Sequence, residues 1–168
     1  MSGDIFKILA FNEVPDALAA LKAAVADALP GSKVYGAAGG PESLALALAQ
    51  DPDVILLGIA PGGTGGFELC RLLKADQRLR HIPVLFLTDL GAGSNGRIKA
   101  LEAGADGFLP EPLEISELAM RVRAMAKIKA EKAGQLQEKA QLSQALEERT
   151  QALLEEFDGH KRAGEALA

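Results

Sequence analysis

The chain has 168 residues, 48% of them hydrophobic, a net charge of −5 and a pI of about 5.1. The length suits one domain with an appendage, and the acidic balance argues against nucleic acid as a partner, since proteins that bind it usually carry a basic patch. The single cysteine, Cys70, excludes a disulfide framework, and no apolar run approaches the ~18 residues that a membrane span needs. We therefore expect a soluble, cytoplasmic protein, without a membrane partner or a secretory signal, in which Cys70 is a buried small hydrophobe.

Short apolar segments alternate with amphipathic ones along most of the chain. Strands are predicted over residues 6–11, 33–37, 53–59, 83–88 and 106–109, the last broken by Pro110-Glu111-Pro112. Helices are predicted over residues 17–29, 41–49, 67–74 and 97–103, and from Glu114 onward. Five strands that alternate with helices predict a doubly wound parallel α/β domain within residues 1–127.

The third strand and the segment that follows it organise the chain. Asp53 to Ile59 is nearly all apolar, which suits a strand buried on both faces of a parallel sheet. A glycine-rich loop follows, and from Phe67 apolar residues recur at helical spacing. In open α/β sheets, ligands bind at the carboxyl ends of the strands. The residue at that end is Gly58, which has no side chain to act with.

A series of motifs, in this order, resembles the receiver domain of two-component response regulators. They are Lys7-Ile8-Leu9 with Pro15, Asp53-Val54-Ile55-Leu56-Leu57, Gly66-Phe67-Glu68-Leu69, Ile82-Pro83-Val84 with Thr88, Leu101-Glu102-Ala103-Gly104-Ala105-Asp106-Gly107-Phe108-Leu109, and Pro112. Each motif is weak alone, but their order and spacing carry the resemblance over about three quarters of the chain. The resemblance implies the flavodoxin-like (CheY-like) five-stranded parallel sheet.

The resemblance also implies where the family's chemistry would lie. In the family, two acidic residues hold Mg²⁺, an Asp accepts the phosphoryl group, a Ser or Thr contacts that group, and a Lys followed by a cis proline pairs with its charge. The matching positions in this chain are Asn12 and Glu13, Gly58, Thr88, Glu111 and Pro112. Without a carboxylate at position 58 no aspartyl phosphate can form there, and Glu111 would repel the group that a Lys attracts. We therefore expect a degenerate receiver, or pseudo-receiver, that is not an enzyme and needs no cofactor.

Other uses of these residues stay open. The loop from Pro61 to Gly66 could cradle phosphate, although it lacks the Lys-Ser/Thr ending of a P-loop. Glu13, Asp89 and Glu111 could form a cation site or could simply be three solvated carboxylates. The alternative function is a receiver that binds Mg²⁺, a phosphoryl group or a small ligand through a site rebuilt around Glu13, Thr88 and that loop.

Residues 128–168 form a helical extension rich in Ala, Glu, Gln, Leu and Lys. A heptad passes through Leu118, Val122, Met125, Lys129, Lys132, Leu136, Lys139, Ser143, Leu146, Thr150, Leu153 and Phe157. Lysines in such a seam lower stability but can set register. A helix this long cannot bury a stripe alone, so we predict a parallel homodimer, with a single fraying helix as the alternative. Its seam would use Val122, Met125, Leu136, Leu146, Leu153 and Phe157.

The function that we expect is a signalling module that acts through protein contacts. In the family, the fourth helix, fifth strand and fifth helix form the usual contact face, which here includes Arg97, Lys99, Phe108 and Glu117. The end of the chain resembles linkers that lead into sensor or kinase domains. The partner would therefore be another signalling protein or a downstream domain, with this chain as the N-terminal part of a larger sensor kinase or other signalling protein.

Overall fold

The computed structural model of the chain describes residues 5–59, 65–89, 94–111 and 113–167, with the backbone alone for residues 88–89, 94–97, 110–111 and 160–167. The strands are β1 (Lys7–Phe11), β2 (Lys33–Ala37), β3 (Val54–Gly58), β4 (Val84–Asp89) and β5 (Gly107–Glu111). The helices are α1 (Pro15–Ala28), α2 (Gly40–Gln50), α3 (Gly65–Ala75), α4 (Ser94–Glu102) and α5 (Ile115–Leu167). Strands and helices alternate in the predicted order.

The five strands form one parallel sheet in the order β2-β1-β3-β4-β5. The central strand is β3, and all five of its residues are buried. Ile55 pairs with Leu9 of β1 on one side and with Val84 of β4 on the other. The predicted doubly wound parallel fold, with a long C-terminal helix, is confirmed.

Two apolar clusters fill the two faces of the sheet. Ile55 and Leu57 of β3 belong to the cluster that α2, α3 and α4 cover, whereas Val54 and Leu56 belong to the cluster that α1 and α5 cover. The division follows from the strand period of two, which points successive side chains to opposite faces. The sheet is thus covered on both sides, as its continuous apolar strands predict.

Cys70 lies in the first of these clusters and is fully buried. Its Sγ lies 3.4 Å from the carbonyl oxygen of Ala103. Burial raises the pKa of the Cys70 thiol to about 11, since a thiolate would lose its hydration there. The prediction of a buried small hydrophobe is confirmed.

The fifth strand is longer than the sequence predicts. Pro110 and Glu111, which we expected to break the strand, pair with Thr88 and Asp89 of β4. Proline has no N–H to donate to a neighbouring strand, and it is therefore tolerated at the edge of a sheet, where β5 lies. The predicted strand end was wrong for this reason. Pro112, the predicted cis residue, lies outside the residues that the structure describes.

The chain divides into two compact units, Met1–Ala130 and Glu131–Ala168. Within the first, Val122 of α5 is fully buried in the cluster under α1 and α5, and Met125 is half-buried against it. The prediction that Val122 belongs to a dimer seam is therefore wrong, because the domain's own core uses that side chain. In the second unit, every residue from 131 to 159 is exposed.

None of the helices described here is long and apolar enough to cross a membrane.

Candidate functional site

The candidate site lies where β1 and β3 end side by side. Phe11, the last residue of β1, pairs with Leu57 of β3. Gly58 comes directly after Leu57 and is the last residue of β3. Asn12 and Glu13 come directly after β1 and therefore reach the same edge of the sheet as Gly58. The structure thus brings three of the predicted positions together. By backbone position, Thr88 and Glu111 lie near the carboxyl ends of β4 and β5.

Asn12 is a nearly buried polar residue whose side chain is fixed by the turn that it makes. Its Oδ1 accepts a hydrogen bond from the N–H of Val14 at 2.9 Å, and its own N–H donates to the carbonyl oxygen of Ala37 at 3.3 Å. Only 8% of the residue is exposed. The side chain of Asn12 therefore shapes the entry into α1, as Asn commonly does when it bonds its own backbone two residues on.

Gly58 is packed against that same side chain. A Cβ built on Gly58 would collide with Nδ2 of Asn12, and it would lie 3.2 Å from Asn12 Cγ and 3.3 Å from the carbonyl oxygen of Phe11. The space beside the Gly58 Cα is therefore filled by an amide. A neighbouring side chain thus takes the volume in which a side chain at position 58 would begin.

Glu13 reaches across to the start of α3. Its Oε1 accepts a hydrogen bond from the N–H of Gly65, the first residue of that helix, at 2.9 Å. The first N–H groups of a helix have no partner within it, and the positive end of the helix dipole favours a carboxylate there. A Cβ at Gly65 would collide with Oε1 of Glu13, so a larger residue there would displace the Glu13 side chain from this position. Glu13 therefore acts as a cap for α3.

Sequence reasoning missed this cap and misplaced the loop before it. Gly65 and Gly66 belong to α3, although we assigned Gly66 to the loop that begins at Pro61. The contact joins residues 52 positions apart, and a run of glycines carries no periodic signal for a helix start. The remainder of the loop, residues 61–64, lies outside the residues that the structure describes, so the phosphate cradle suggested for this loop stays a prediction.

Two of the oxygen atoms that a divalent cation would use at this site are engaged in hydrogen bonds. Mg²⁺ prefers an octahedral set of oxygen ligands, usually with one or two carboxylates. Here Asn12 Oδ1 and Glu13 Oε1 already accept hydrogen bonds from Val14 and Gly65, and Gly58 offers no side chain. Among the residues whose side chains the structure describes, no group of three or more His, Cys, Asp or Glu could hold a metal ion. The cation site suggested for Glu13, Asp89 and Glu111 stays a prediction, because the last two side chains are not described.

Asp53 lies at the opposite end of β3 from Gly58. It comes just before Val54, the first residue of the strand, and its Oδ2 accepts a hydrogen bond from the N–H of Lys7 at 2.9 Å. The length of the strand therefore separates its carboxylate from the candidate site.

The predicted contact face contains both charged and apolar side chains. Lys99 is exposed on α4, Glu117 is half-exposed on α5, and Phe108 of β5 is half-buried against the core cluster. The side chain of Arg97 is outside the described part of α4. Sequence reasoning missed two exposed apolar residues, Ile98 on α4 and Met120 on α5, which are 50% and 67% exposed. The use of this face for binding stays a prediction.

Comparison with known proteins gives a consistent result. Residues 8–123 match the family described as the response regulator receiver domain. Response regulator PleD of Caulobacter vibrioides is 43% identical over 97 residues, which are 58% of this chain and 21% of PleD. The chain therefore spans only a small part of the length of that relative.

Two solved structures show the same fold. The signal receiver domain of a signal transduction histidine kinase from Syntrophus aciditrophicus has a TM-score of 0.62 and 29% identity, with 73% of this chain and 90% of that one covered. The chemotaxis response regulator CheY4 of Vibrio cholerae has a TM-score of 0.61 and 24% identity, and the match covers 73% of this chain and 99% of CheY4.

Proposed function

The chain belongs to the response regulator receiver domain family of two-component phosphorelay systems, and from that premise we propose that it is a pseudo-receiver, a signalling module that does not take up a phosphoryl group. The observation that carries the proposal is Gly58 at the end of β3, with the amide of Asn12 in the space beside it. Acyl phosphate formation needs a carboxylate oxygen that attacks phosphorus. At this position the chain has neither the carboxylate nor the room for it.

The state of Glu13 supports the same proposal. Its carboxylate caps α3 through Gly65, so that the acidic residue remaining from the family's pair already has a structural task. The alternative function, a rebuilt site for Mg²⁺ or a phosphoryl group around Glu13 and Thr88, gains no support from the described contacts. We therefore propose that the domain has no catalytic activity and works through the proteins that it contacts.

Intact-mass spectrometry tests the loss of phosphotransfer. The whole chain is incubated with Mg²⁺ and a small phosphodonor such as acetyl phosphate, and we expect its mass to stay unchanged. A matched sample is the variant Asn12→Asp/Gly58→Asp/Glu111→Lys, which introduces the carboxylates and the lysine of the family's pattern. A phosphoryl adduct on the natural chain would overturn the proposal whatever the variant does.

We further propose that α5 pairs with α5 of a second copy beyond residue 130. Four large apolar side chains, Leu142, Leu146, Leu153 and Phe157, are 65%, 65%, 57% and 67% exposed. Their spacing of four, seven and four residues places them along one side of the helix, since the α-helix has 3.6 residues per turn. An exposed helix with such a stripe gains most of its stability from a partner helix.

The partner proposed here is a second copy in parallel orientation, as a homodimer. This pairing differs from the seam that the sequence suggested, because Val122 is committed to the domain core. Sedimentation equilibrium compares the whole chain with a chain that ends at Ala130, the limit of the first compact unit. A dimer for the whole chain and a monomer for the shorter one support pairing through the extension, whereas two monomers exclude it.

The extension also suggests how the module is connected. We propose that α5 leads from the receiver towards another domain of a larger signalling protein, such as a sensor kinase. Support comes from the relatives: the match covers only 21% of PleD, and the Syntrophus aciditrophicus structure is the receiver domain of a histidine kinase. The partner is then either that following domain or a separate signalling protein that docks on the face around Phe108 and Lys99.

A further inference from the structure

Lys129 of α5 is buried, which is unusual for a lysine. Its side chain is only 9% exposed, although lysine is almost never fully buried unless it is paired. Its Nζ lies 3.1 Å from Oδ1 of Asp51 and 3.8 Å from Oδ1 of Asp53. It also donates a hydrogen bond to the carbonyl oxygen of Asp51 at 3.1 Å. Three oxygen atoms from one corner of the domain therefore surround this ammonium group.

The corner that receives Lys129 is itself held in place. Asp51 ends α2 in the left-handed conformation, with φ of 47°, and its N–H donates to the carbonyl oxygen of Ala47. Asp53 accepts a hydrogen bond from the N–H of Lys7 at 2.9 Å, and Lys7 Nζ donates to the carbonyl oxygen of Gln50 at 3.2 Å. The acceptors are thus positioned by α2 and by the start of β1, independently of α5.

Lys129 lies close to the C-terminal limit of the receiver domain. It lies beyond residues 8–123, the segment that matches the receiver family. Among the residues whose exposure is described, it is also the last buried one, because residues 130–159 are all exposed. The charged contact therefore lies at the end of the buried part of α5.

We propose that the ion pairs of Lys129 with Asp51 and Asp53 act as a clasp, which fixes residues 124–130 of α5 to the receiver domain. The clasp consists of Lys129, Asp51 and Asp53. It holds residues 124–130 on the corner between α2 and β3, and the helix is free to pair only after it. The sequence assigned Lys129 to a dimer seam, but its ammonium group instead faces two carboxylates of its own chain. This inference goes beyond the proposed function, and it requires neither dimerisation nor the loss of phosphotransfer.

The physical basis of the clasp is the cost of an unpaired buried charge. When one partner of a buried ion pair is removed, the remaining charge keeps its desolvation penalty and loses its compensation. Lys129 is the buried member here, whereas the side chains of Asp51 and Asp53 are 67% and 33% exposed. The carboxylates can therefore be neutralised with little effect on packing, and the effect on α5 then reports the charge interaction itself.

Hydrogen exchange followed by mass spectrometry on the whole chain tests the clasp. Lys129→Met keeps an unbranched side chain and removes the charge, and Lys132→Met, at an exposed position on the same helix, is the matched control. We expect amides of residues 124–130 to exchange about fivefold faster in Lys129→Met, as loss of a contact in one charged network implies. The control should change their exchange by less than about twofold.

A second set of variants keeps the inference testable if Lys129→Met does not fold. Asp51→Asn retains a residue that tolerates the left-handed conformation, and Asp53→Asn retains the size of the side chain. We expect the double variant Asp51→Asn/Asp53→Asn to speed exchange over residues 124–130 as Lys129→Met does. Combining it with Lys129→Met should add little, because both remove the same interaction.

Two results would overturn the clasp. One is equal exchange over residues 124–130 in Lys129→Met and Lys132→Met. The other is strictly additive effects of the lysine and aspartate changes, which would mean that they do not interact. Sedimentation and intact mass measured on the same samples separate a failure of this inference from a failure of the proposed function, since neither depends on exchange near Lys129.

Discussion

The side-chain amide of Asn12 fills the space into which a side chain at Gly58 would extend. The two residues are therefore in direct contact at the carboxyl ends of β1 and β3. Asn12 Oδ1 accepts a hydrogen bond from the N–H of Val14, and a rotation of the amide away from Gly58 would break this bond. A variant that introduces a larger side chain at position 58 should therefore change Asn12 as well.

The first prediction concerns the stability of Gly58→Ala. We expect this variant to lower the free energy of unfolding by about 2 kcal/mol, because the added methyl group overpacks a buried site against Asn12. Gly40→Ala is the matched control in the same unit, since nothing lies within 4 Å of a Cβ built on Gly40. It should be neutral or slightly stabilising. Denaturant unfolding of the whole chain measures both.

The double variant Asn12→Ala/Gly58→Ala extends this test. Asn12→Ala removes the obstructing amide, so the cost of Gly58→Ala should fall by about 1 kcal/mol in its presence. The cycle is read from the same unfolding curves. If the two costs add without interaction, the contact between Asn12 and position 58 does not limit what this site can hold.

The second prediction concerns Glu13 as the cap of α3. Glu13→Ala should lower the free energy of unfolding by about 1 kcal/mol, because the N–H of Gly65 loses its acceptor and the helix dipole loses a carboxylate. Glu13→Gln keeps an oxygen acceptor and should cost less than Glu13→Ala. Glu42→Ala, an exposed acidic change in the first turn of α2, serves as the control for the dipole alone. Equal losses in Glu13→Ala and Glu42→Ala would speak against the cap.

The third prediction concerns magnesium. An ion that binds only the folded chain raises the midpoint temperature of unfolding once the ion concentration exceeds the dissociation constant of the complex. Asn12 Oδ1 and Glu13 Oε1 already accept hydrogen bonds, and Gly58 has no side-chain oxygen. Millimolar Mg²⁺ should therefore leave the midpoint unchanged relative to NaCl at the same ionic strength. A rise that Glu13→Gln abolishes would show instead that the site still binds the ion.

The fourth prediction concerns the apolar stripe of α5. Leu146→Asn/Leu153→Asn places amides in the stripe and should turn a dimer into a monomer in sedimentation equilibrium at micromolar concentration, since polar residues at seam positions weaken pairing. Ala152→Asn is an exposed change off the stripe with a similar loss of helix propensity. A monomer in that control too would attribute the effect to helix stability rather than to the stripe.

Much of the fold could be predicted from local patterns. The apolar run of β3 and the helical spacing in α3 fix the alternation of elements, because period and burial are linked at each position. Pro110 misled the prediction, since its missing N–H matters only when a neighbour needs it, and the edge position of β5 removes that need. Whether a neighbouring strand needs that N–H depends on the order of the strands in the sheet, which local sequence patterns do not determine.

The sequence predicted which residues lie at the candidate site, but it did not predict which of them contact one another. The motifs led to Asn12, Glu13 and Gly58, whereas the hydrogen bond from Gly65 to Glu13 joins residues that no sequence periodicity relates. Lys129 shows the same limit. Its heptad position is compatible with a helix seam, and only the tertiary fold reveals that Asp51 and Asp53 are close enough to pair with it.

Cys70 has a practical consequence for studying this chain. At pH 7 its thiol, with a pKa of about 11, is ionised in roughly one molecule in ten thousand, and it is fully buried. As the chain's single cysteine, it therefore leaves the surface free of competing thiols. A cysteine introduced on α5 can carry a spin label or a fluorophore without removal of the native one. Distances between such probes would then report the separation of two helices directly in solution.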